Sequence, residues 1–127
     1  MIVVDTSALL AILKNEPEAD ACQQALASTE TILISAPTLT EALIVAGPKG
    51  LLAALNRLLD DIAAQCIPLT AAGARQASEA YAQWGKGIHP AGLNFGDCFA
   101  YALAKERNCP LLYVGNDFSQ TDIVAAG

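Results

Sequence analysis

The chain opens with MIVVDTSALLAILKNEP (residues 1–17), in which a short apolar run leads into an acid and then into a helical pattern. Ile2–Val4 predicts a strand, and the apolar spacing from Thr6 to about Lys14 predicts a helix. A strand followed at once by a helix is typical of a parallel α/β sheet. Asp5, which stands between the two, is therefore expected at the carboxyl edge of that sheet, where sites form in such folds.

The rest of the chain continues this alternation. We predict one α/β domain over residues 1–127, with a largely parallel sheet and helices on both faces. The only long flexible loop is WGKGIHPAGLN, residues 84–94. The other predicted strands are Thr31–Ser35, Cys66–Leu69 and Leu111–Val114, and the other predicted helices cover Ala19–Ala27, Pro37–Val45, 51–62, 74–84 and 95–107.

The composition indicates a partner chain. Apolar residues other than Gly make up 54% of the sequence and charged residues only 16%, whereas about 25% of an average domain is charged. This surplus is more than one small core needs, so we expect a homodimer or a tightly bound partner protein. The net charge of −6 argues against a broad basic face that binds nucleic acid. It is compatible with an enzyme that handles nucleic acid through metal ions.

No feature of the sequence indicates export or membrane insertion. The apolar runs are interrupted every few residues, and MIVVD reaches an acid without a basic region, so neither a membrane span nor a signal peptide is expected. The four cysteines lie far apart and form no CxxC pair. We predict a cytoplasmic protein in which these cysteines are reduced and structural: Cys22, Cys66, Cys98 and Cys109.

Three acids, Asp5, Glu41 and Asp97, are each predicted in or just before the first turn of a helix. Each could be a helix cap: Asp5 as an N-cap, and Glu41 and Asp97 as partners of Thr38 and Asn94 in capping boxes. The alternative is that the three helices begin on one edge of the sheet and bring the acids together. Converging carboxylates repel one another, and a divalent cation would relieve that repulsion.

The kind of metal follows from the kind of ligand. Carboxylate oxygens suit Mg²⁺ or Mn²⁺, with water completing the coordination, and no His or Cys is placed for a zinc site. A metal held by such a cluster can ionise a water as a nucleophile and neutralise charge on a phosphate.

Three segments, MIVVDTSALLAILKNEP, PTLTEA and LNFGDCFAYALAK, resemble the acidic motifs of the PIN-domain family, especially its branch of VapC-type toxins. Their order and spacing match over nearly the whole chain. The resemblance implies a PIN-like α/β/α sandwich and an endoribonuclease dependent on Mg²⁺ or Mn²⁺. It also implies inhibition by a VapB-type antitoxin, and a homodimer.

The same resemblance implies roles for individual residues. Asp5, Glu41 and Asp97 become the metal-binding catalytic acids, and Ser7 becomes the partner that orients Asp5. A helix-start hydrogen bond is the alternative role for Ser7.

The family often carries a fourth acid after its last main strand, and here VGNDFSQTD offers three positions. We favour Asp117 as a catalytic and metal-binding residue, with Asn116 as its substitute. A simple Gly-Asn-Asp turn is the alternative. Asp122 is expected to cap the last turn or to face solvent.

The glycine-rich loop contains two residues that could contact the substrate or take part in catalysis. Lys86 is a candidate for a phosphate contact, and His89 is expected to be solvated rather than catalytic, because a metal-ionised water needs no protein base. The helical spacing of Tyr81 and Trp84 with Ala77 predicts core positions.

Two other functions remain open from the sequence. An aspartate-nucleophile phosphatase would also use Mg²⁺, but it needs an acid where Ser7 stands and a Lys in residues 111–116. A degenerate PIN fold could serve only as a binding module.

Overall fold

The opening strand, β1 (Ile2–Val4), lies inside a four-stranded sheet in which every pairing is parallel. The computed structural model describes residues 1–127. The strand order is β3-β2-β1-β4, with β2 at Ile32–Ser35, β3 at Gln65–Ile67 and β4 at Leu111–Leu112. The helices are α1 (Thr6–Leu13), α2 (Ala19–Ala27), α3 (Ala36–Ala46), α4 (Leu52–Asp61), α5 (Ala71–Trp84) and α6 (Phe95–Arg107).

The sheet separates two apolar cores, as the alternation of side chains along a strand requires. Ile2 and Val4 contribute to the core that α1, α2, α3 and α4 cover, and Val3 contributes to the core under α5 and α6. The largest fully buried side chain of the second core belongs to Phe118, in the segment after β4. The predicted α/β class, with helices on both faces of a parallel sheet, is thus confirmed.

Two strands are shorter or shifted compared with the sequence prediction. β4 ends at Leu112 rather than Val114, because the Val114 N–H donates to the Ser7 hydroxyl at 3.0 Å instead of to a neighbouring strand. Beside β4, the Leu111 N–H donates to the Val124 carbonyl, so the end of the chain returns to the sheet. β3 begins at Gln65 and ends at Ile67, and it forms an edge of the sheet.

All four cysteines are free thiols, as predicted, but they are not all structural. Cys22 and Cys98 are buried and Cys109 is half-buried, whereas Cys66 is exposed on the edge strand. Burial raises the pKa of Cys98 to about 11, which keeps that thiol protonated and unreactive. No helix combines the length and the apolar character needed to span a bilayer.

We expect α4 to stabilise the fold mainly through one buried side chain. Leu55 is the only fully buried side chain of α4, while Leu52 is 44% exposed. Leu55→Ala should lower the free energy of unfolding by about 2–5 kcal/mol, because it removes buried methyl groups and leaves a cavity. Leu52→Ala, the matched control, should change it by less than about 0.5 kcal/mol. Urea denaturation measures both, and equal effects would show that α4 is not packed as described.

Candidate active site

Asp5 is a helix cap and also a buried acid, and one of its carboxylate oxygens has no hydrogen-bond partner. It is the N-cap of α1, and its Oδ2 accepts hydrogen bonds from the Ser7 N–H at 3.1 Å and the Ser7 hydroxyl at 2.7 Å. Its Oδ1 is buried and has no hydrogen-bond partner. Burial raises the pKa of Asp5, and the nearby Glu41 carboxylate raises it further. A buried, unpartnered carboxylate oxygen is costly unless something binds it.

Ser7 connects Asp5 to the opposite side of the site. Its hydroxyl donates to Asp5 and also accepts the hydrogen bond from the Val114 N–H. The chain that leaves β4 toward Asp117 is therefore attached to the acid that follows β1. The two predicted roles of Ser7, helix-start hydrogen bonding and orientation of Asp5, occur together in these contacts.

Glu41 does not occupy the capping position that the sequence suggested. α3 begins at Ala36, directly after β2, so Glu41 lies in the second turn, and Ser35 rather than Thr38 is the N-cap. The predicted Thr38–Glu41 capping box is wrong, because Thr38 is buried within α3 and its hydroxyl has no partner. Glu41 Oε1 instead accepts a hydrogen bond from the Thr6 hydroxyl at 2.7 Å.

Asp97 does form the capping box predicted with Asn94. The Asp97 N–H donates to Asn94 Oδ1 at 2.9 Å, and the Asn94 N–H donates to Asp97 Oδ2 at 3.0 Å. Asp97 is the third residue of α6 and is buried. The capping box uses one oxygen of the carboxylate, so capping at Asp97 leaves the other oxygen outside the box.

The carboxylates converge, as their electrostatics show. Burial is the main reason that the pKa of Asp97 rises to about 7, and the charges of Asp5, Asp117 and Glu41 raise it further. The Asn94 N–H opposes this rise by stabilising the ionised form. Three acids from three other segments therefore influence a single carboxyl group.

Of the three candidates for the fourth acid, Asp117 is the one whose charge acts on Asp97. It is exposed, in the turn that follows β4. Asn116 is in the same turn, where its carbonyl accepts from the Ser119 N–H and hydroxyl. Asp122 is exposed, which agrees with the second of its two predicted roles, and it accepts hydrogen bonds from the Tyr101 hydroxyl and from Lys105. It is not among the acids whose charges act on Asp97.

The donor set fits a hard divalent cation held partly through water. No three His, Cys, Asp or Glu side chains are arranged to hold one ion directly. Mg²⁺ is commonly bound by only one or two carboxylates and keeps several waters. The unpartnered Oδ1 of Asp5 and the raised pKa of Asp97 both mark positions where positive charge would be stabilising.

Tyr81 and His89 differ from their predictions, whereas Trp84 packs against the second core as expected. Tyr81 is 39% exposed rather than in the core, and its hydroxyl donates to the Lys86 carbonyl. His89 is half-buried, with its ring edge-on to Trp84 and its Nδ1 accepting from the Ala91 N–H, so it is not freely solvated. Lys86 is exposed and lines a groove beside Asn94 and Phe95.

Known proteins resemble this chain along nearly its whole length. Residues 2–124 match the PIN domain family. The chain belongs to that family. It is 43% identical over 129 residues to ribonuclease VapC28 of Mycobacterium tuberculosis, covering 98% of this chain and 97% of the relative. It is 40% identical over 129 residues to a VapC ribonuclease of Mycolicibacterium smegmatis, covering 98% of each. The resemblance predicted from the three acidic motifs is thereby confirmed.

Two solved structures share the fold of this PIN domain. The sarcin-ricin loop cleaving toxin VapC20 of Mycobacterium tuberculosis superposes with a TM-score of 0.77 at 19% identity, covering 98% of this chain and 97% of that one. A toxin–antitoxin complex from Klebsiella pneumoniae gives a TM-score of 0.76 at 18% identity, covering 99% and 97%. Both support the PIN-like α/β sandwich predicted from the sequence.

The raised pKa of Asp97 predicts how the stability of the metal-free protein depends on pH. The unfolded pKa is 3.8 and the folded one about 7, so between these values the native state holds a proton that the unfolded chain has released. Stability should therefore fall as the pH rises from about 4 to about 7. Asp97→Asn should flatten this decline, because Asn keeps an oxygen for the Asn94 N–H and does not titrate.

Urea denaturation in EDTA at several pH values measures this effect. Asp5 is also buried with a raised pKa and contributes in the same direction, while the lowered pKa of Asp122 changes stability only below its ordinary value of 3.8, outside this range. The difference between the wild-type and Asp97→Asn curves therefore reports Asp97 together with its charge coupling to Asp5, Glu41 and Asp117. Parallel curves would show that Asp97 has an ordinary pKa.

Proposed function

We propose that this PIN domain cleaves RNA internally at the cluster formed by Asp5, Glu41, Asp97 and Asp117, using Mg²⁺ or Mn²⁺. The observation that carries the proposal is that these acids influence one another although they come from segments far apart in the chain. Helix capping explains one oxygen of Asp5 and one of Asp97, but it does not explain why the capped acids lie together. The relatives named as VapC ribonucleases indicate RNA as the substrate.

The protein residues would orient the reactants. Asp5 and Asp97 would bind metal through the oxygens that capping leaves free, and Glu41 and Asp117 would bind it directly or through water. A divalent metal in such a site lowers the pKa of a bound water and stabilises the charge that develops on the phosphate. Ser7 would keep Asp5 in one orientation through its hydroxyl. Lys86 and Asn116 keep their predicted roles as a phosphate contact and as a substitute donor near Asp117.

The protein's charge makes the metal important for substrate binding as well. The chain has a net charge of −6 and seven basic residues, so an RNA phosphate that approaches the acid cluster meets repulsion. A divalent ion bound there would cancel part of that negative charge and attract the phosphate directly. Metal binding and RNA binding should therefore be coupled.

We expect purified chain without a partner to cut RNA in Mg²⁺ or Mn²⁺ and not in EDTA. Asp5→Asn and Asp97→Asn should each reduce cleavage by more than about 100-fold, since losing even an outer partner of a metal ligand costs about 10–100-fold. Asp122→Asn is the matched control: the same chemical change, at an acid bonded to Tyr101 and Lys105. Incubation with total RNA and electrophoresis of the fragments measures the rates.

The same assay separates the enzyme from a binding module. If the folded protein cuts no RNA and calorimetry detects no binding of divalent metal, the acids have only structural roles, which for Asp5 and Asp97 means helix capping. Cleavage that persists in both Asn variants would place the chemistry elsewhere.

A VapB-type antitoxin is the proposed protein partner. The similar structures include a toxin–antitoxin complex from Klebsiella pneumoniae, and VapBC2 of Rickettsia felis with a TM-score of 0.68 at 20% identity. An acid cluster that needs a metal is a site that a partner could block by supplying a positive side chain. Co-purification with the protein encoded beside this chain, and loss of cleavage in the complex, would support the assignment.

A homodimer is the second proposed assembly, and its interface is an apolar surface formed by Ile44, Leu69, Tyr81 and Phe95. Ile44 and Phe95 are 67% and 66% exposed, which is unusual for two large apolar side chains near each other. Two grooves meet at Leu69, Phe95 and Phe99, and the two phenylalanine rings are 5.0 Å apart. A second copy of the chain would cover this surface and account for the apolar surplus of the sequence.

Changing one residue of the apolar surface should therefore separate the subunits. Analytical ultracentrifugation should show the wild type at twice the 13.2 kDa mass of the chain, and Ile44→Glu at the single mass, because a buried unpaired charge opposes association. The control is Ile88→Glu, in the glycine-rich loop, where Ile88 is 56% exposed and lines neither groove. A monomeric wild type, or dissociation by the control alone, would disprove this interface.

A further inference from the structure

Gly96 lies against the carboxyl group of Glu41. If a Cβ were added at Gly96, its three nearest neighbours would all be atoms of that carboxyl group. Glu41 Cδ would be 3.0 Å away and Oε1 3.3 Å, and Oε2 would be closer than any real Cβ contact allows. The site therefore has room for Glu41 in this position only because residue 96 has no side chain.

The backbone of Gly96 does not itself require glycine. Gly96 is the second residue of α6, and its φ is not in the positive range that favours glycine. Glycine in a helix is less favourable than alanine, because it loses more conformational freedom on folding. Alanine would suit the helix better at this position, so the reason for glycine lies outside the helix.

The Thr6 hydroxyl holds Glu41 from the other side. It donates to Oε1 at 2.7 Å, while Oε2 is the oxygen next to Gly96. Thr6 is the first residue of α1, Glu41 is in α3 and Gly96 is in α6. Three helices thus determine where one carboxyl group lies, beside the acids of the other segments.

We propose that Gly96 is a positioning residue: its missing side chain lets the Glu41 carboxyl group lie between Thr6 and the first turn of α6, where it can act with Asp5 and Asp97. The inference rests on the proposed function for its consequence in metal binding. The steric part of it, the coupling between Gly96 and Glu41, does not depend on that function.

The effect of Gly96→Ala on the structure depends on which of the neighbouring atoms can move away from the added Cβ. The atoms that a Cβ would meet are at the end of a flexible side chain, not in the backbone. Glu41 would therefore rotate away and lose its hydrogen bond from Thr6, while the fold stays intact. The substitution should damage the site without damaging the protein.

A double-mutant cycle tests the coupling without using activity. Gly96→Ala is made in the wild type and in Glu41→Ala, and urea denaturation midpoints are compared. In Glu41→Ala the obstructing carboxyl group is absent, so the added methyl group should raise the midpoint. In the wild type the midpoint should rise less or fall. The same change in both backgrounds would overturn the proposal, because the two residues would then act independently.

Binding of Mn²⁺ followed by calorimetry, together with RNA cleavage, tests the consequence for the site. Gly96→Ala should weaken Mn²⁺ binding and slow cleavage by about 10–100-fold, the usual effect of losing support for a metal ligand. Gly73→Ala is the matched control. Gly73 is also in the first turn of a helix, and its nearest neighbour would be the flexible end of Leu69 at 3.2 Å. This control should keep both properties.

Thr6 provides a second pair of variants. Thr6→Val removes the hydroxyl that donates to Glu41 and should weaken Mn²⁺ binding, whereas Thr6→Ser keeps the donor and should restore it. If the wild type binds Mn²⁺ and Gly96→Ala binds it equally well, Gly96 does not position Glu41. If the wild type neither binds Mn²⁺ nor cuts RNA, the proposed function fails, and the denaturation cycle alone decides the role of Gly96.

Discussion

Mutual repulsion among carboxylates at one edge of the sheet is the constraint on which the arrangement of this protein depends. Like charges in a poorly solvated place raise one another's pKa and oppose folding unless they are stabilised. The protein stabilises three of them in the same way. Asp5 Oδ2 accepts from Ser7, Glu41 Oε1 from Thr6, and Asp97 Oδ2 from Asn94. In each case the donor forms a hydrogen bond with only one of the two carboxylate oxygens.

This pattern explains how a residue can be a helix cap and a site residue at once. A cap needs one acceptor oxygen, and a carboxylate has two. Asp5 and Asp97 use one oxygen to complete the start of a helix, and Oδ1 of Asp5 stays buried without a partner. Capping and metal binding, which the sequence presented as alternatives, are therefore compatible in this fold. The helix start holds the acid rigidly, which a site that binds a metal requires.

Much of the fold could be predicted from local patterns, because strands and helices differ in period. The central strand, the two cores and α6 were predictable, and so were Asp5, Asp97 and their caps. The position of Glu41 in α3 was predicted incorrectly, because the tertiary structure overrides the Thr38-x-x-Glu41 capping pattern. The N-cap is Ser35, three residues before Thr38, and α3 starts directly after β2. The two hydrogen bonds that Asp122 accepts, from Tyr101 and Lys105, were not predicted either, because these residues are neighbours of Asp122 in space and not in sequence.

The sequence by itself determined the class of fold, the family and three acids of the proposed site (Asp5, Glu41 and Asp97), because each depends on a residue type at a fixed place in a short motif. Only the tertiary structure decided which contacts those acids make. Thr6 had no signal beyond its place at a helix start, and Gly96 looked like an ordinary residue of a FGDC segment. Their importance arises when α1, α3 and α6 approach one another and leave room for a carboxyl group but not for a methyl group beside it. Such packing depends on distances between segments far apart in the chain, which a local pattern does not contain.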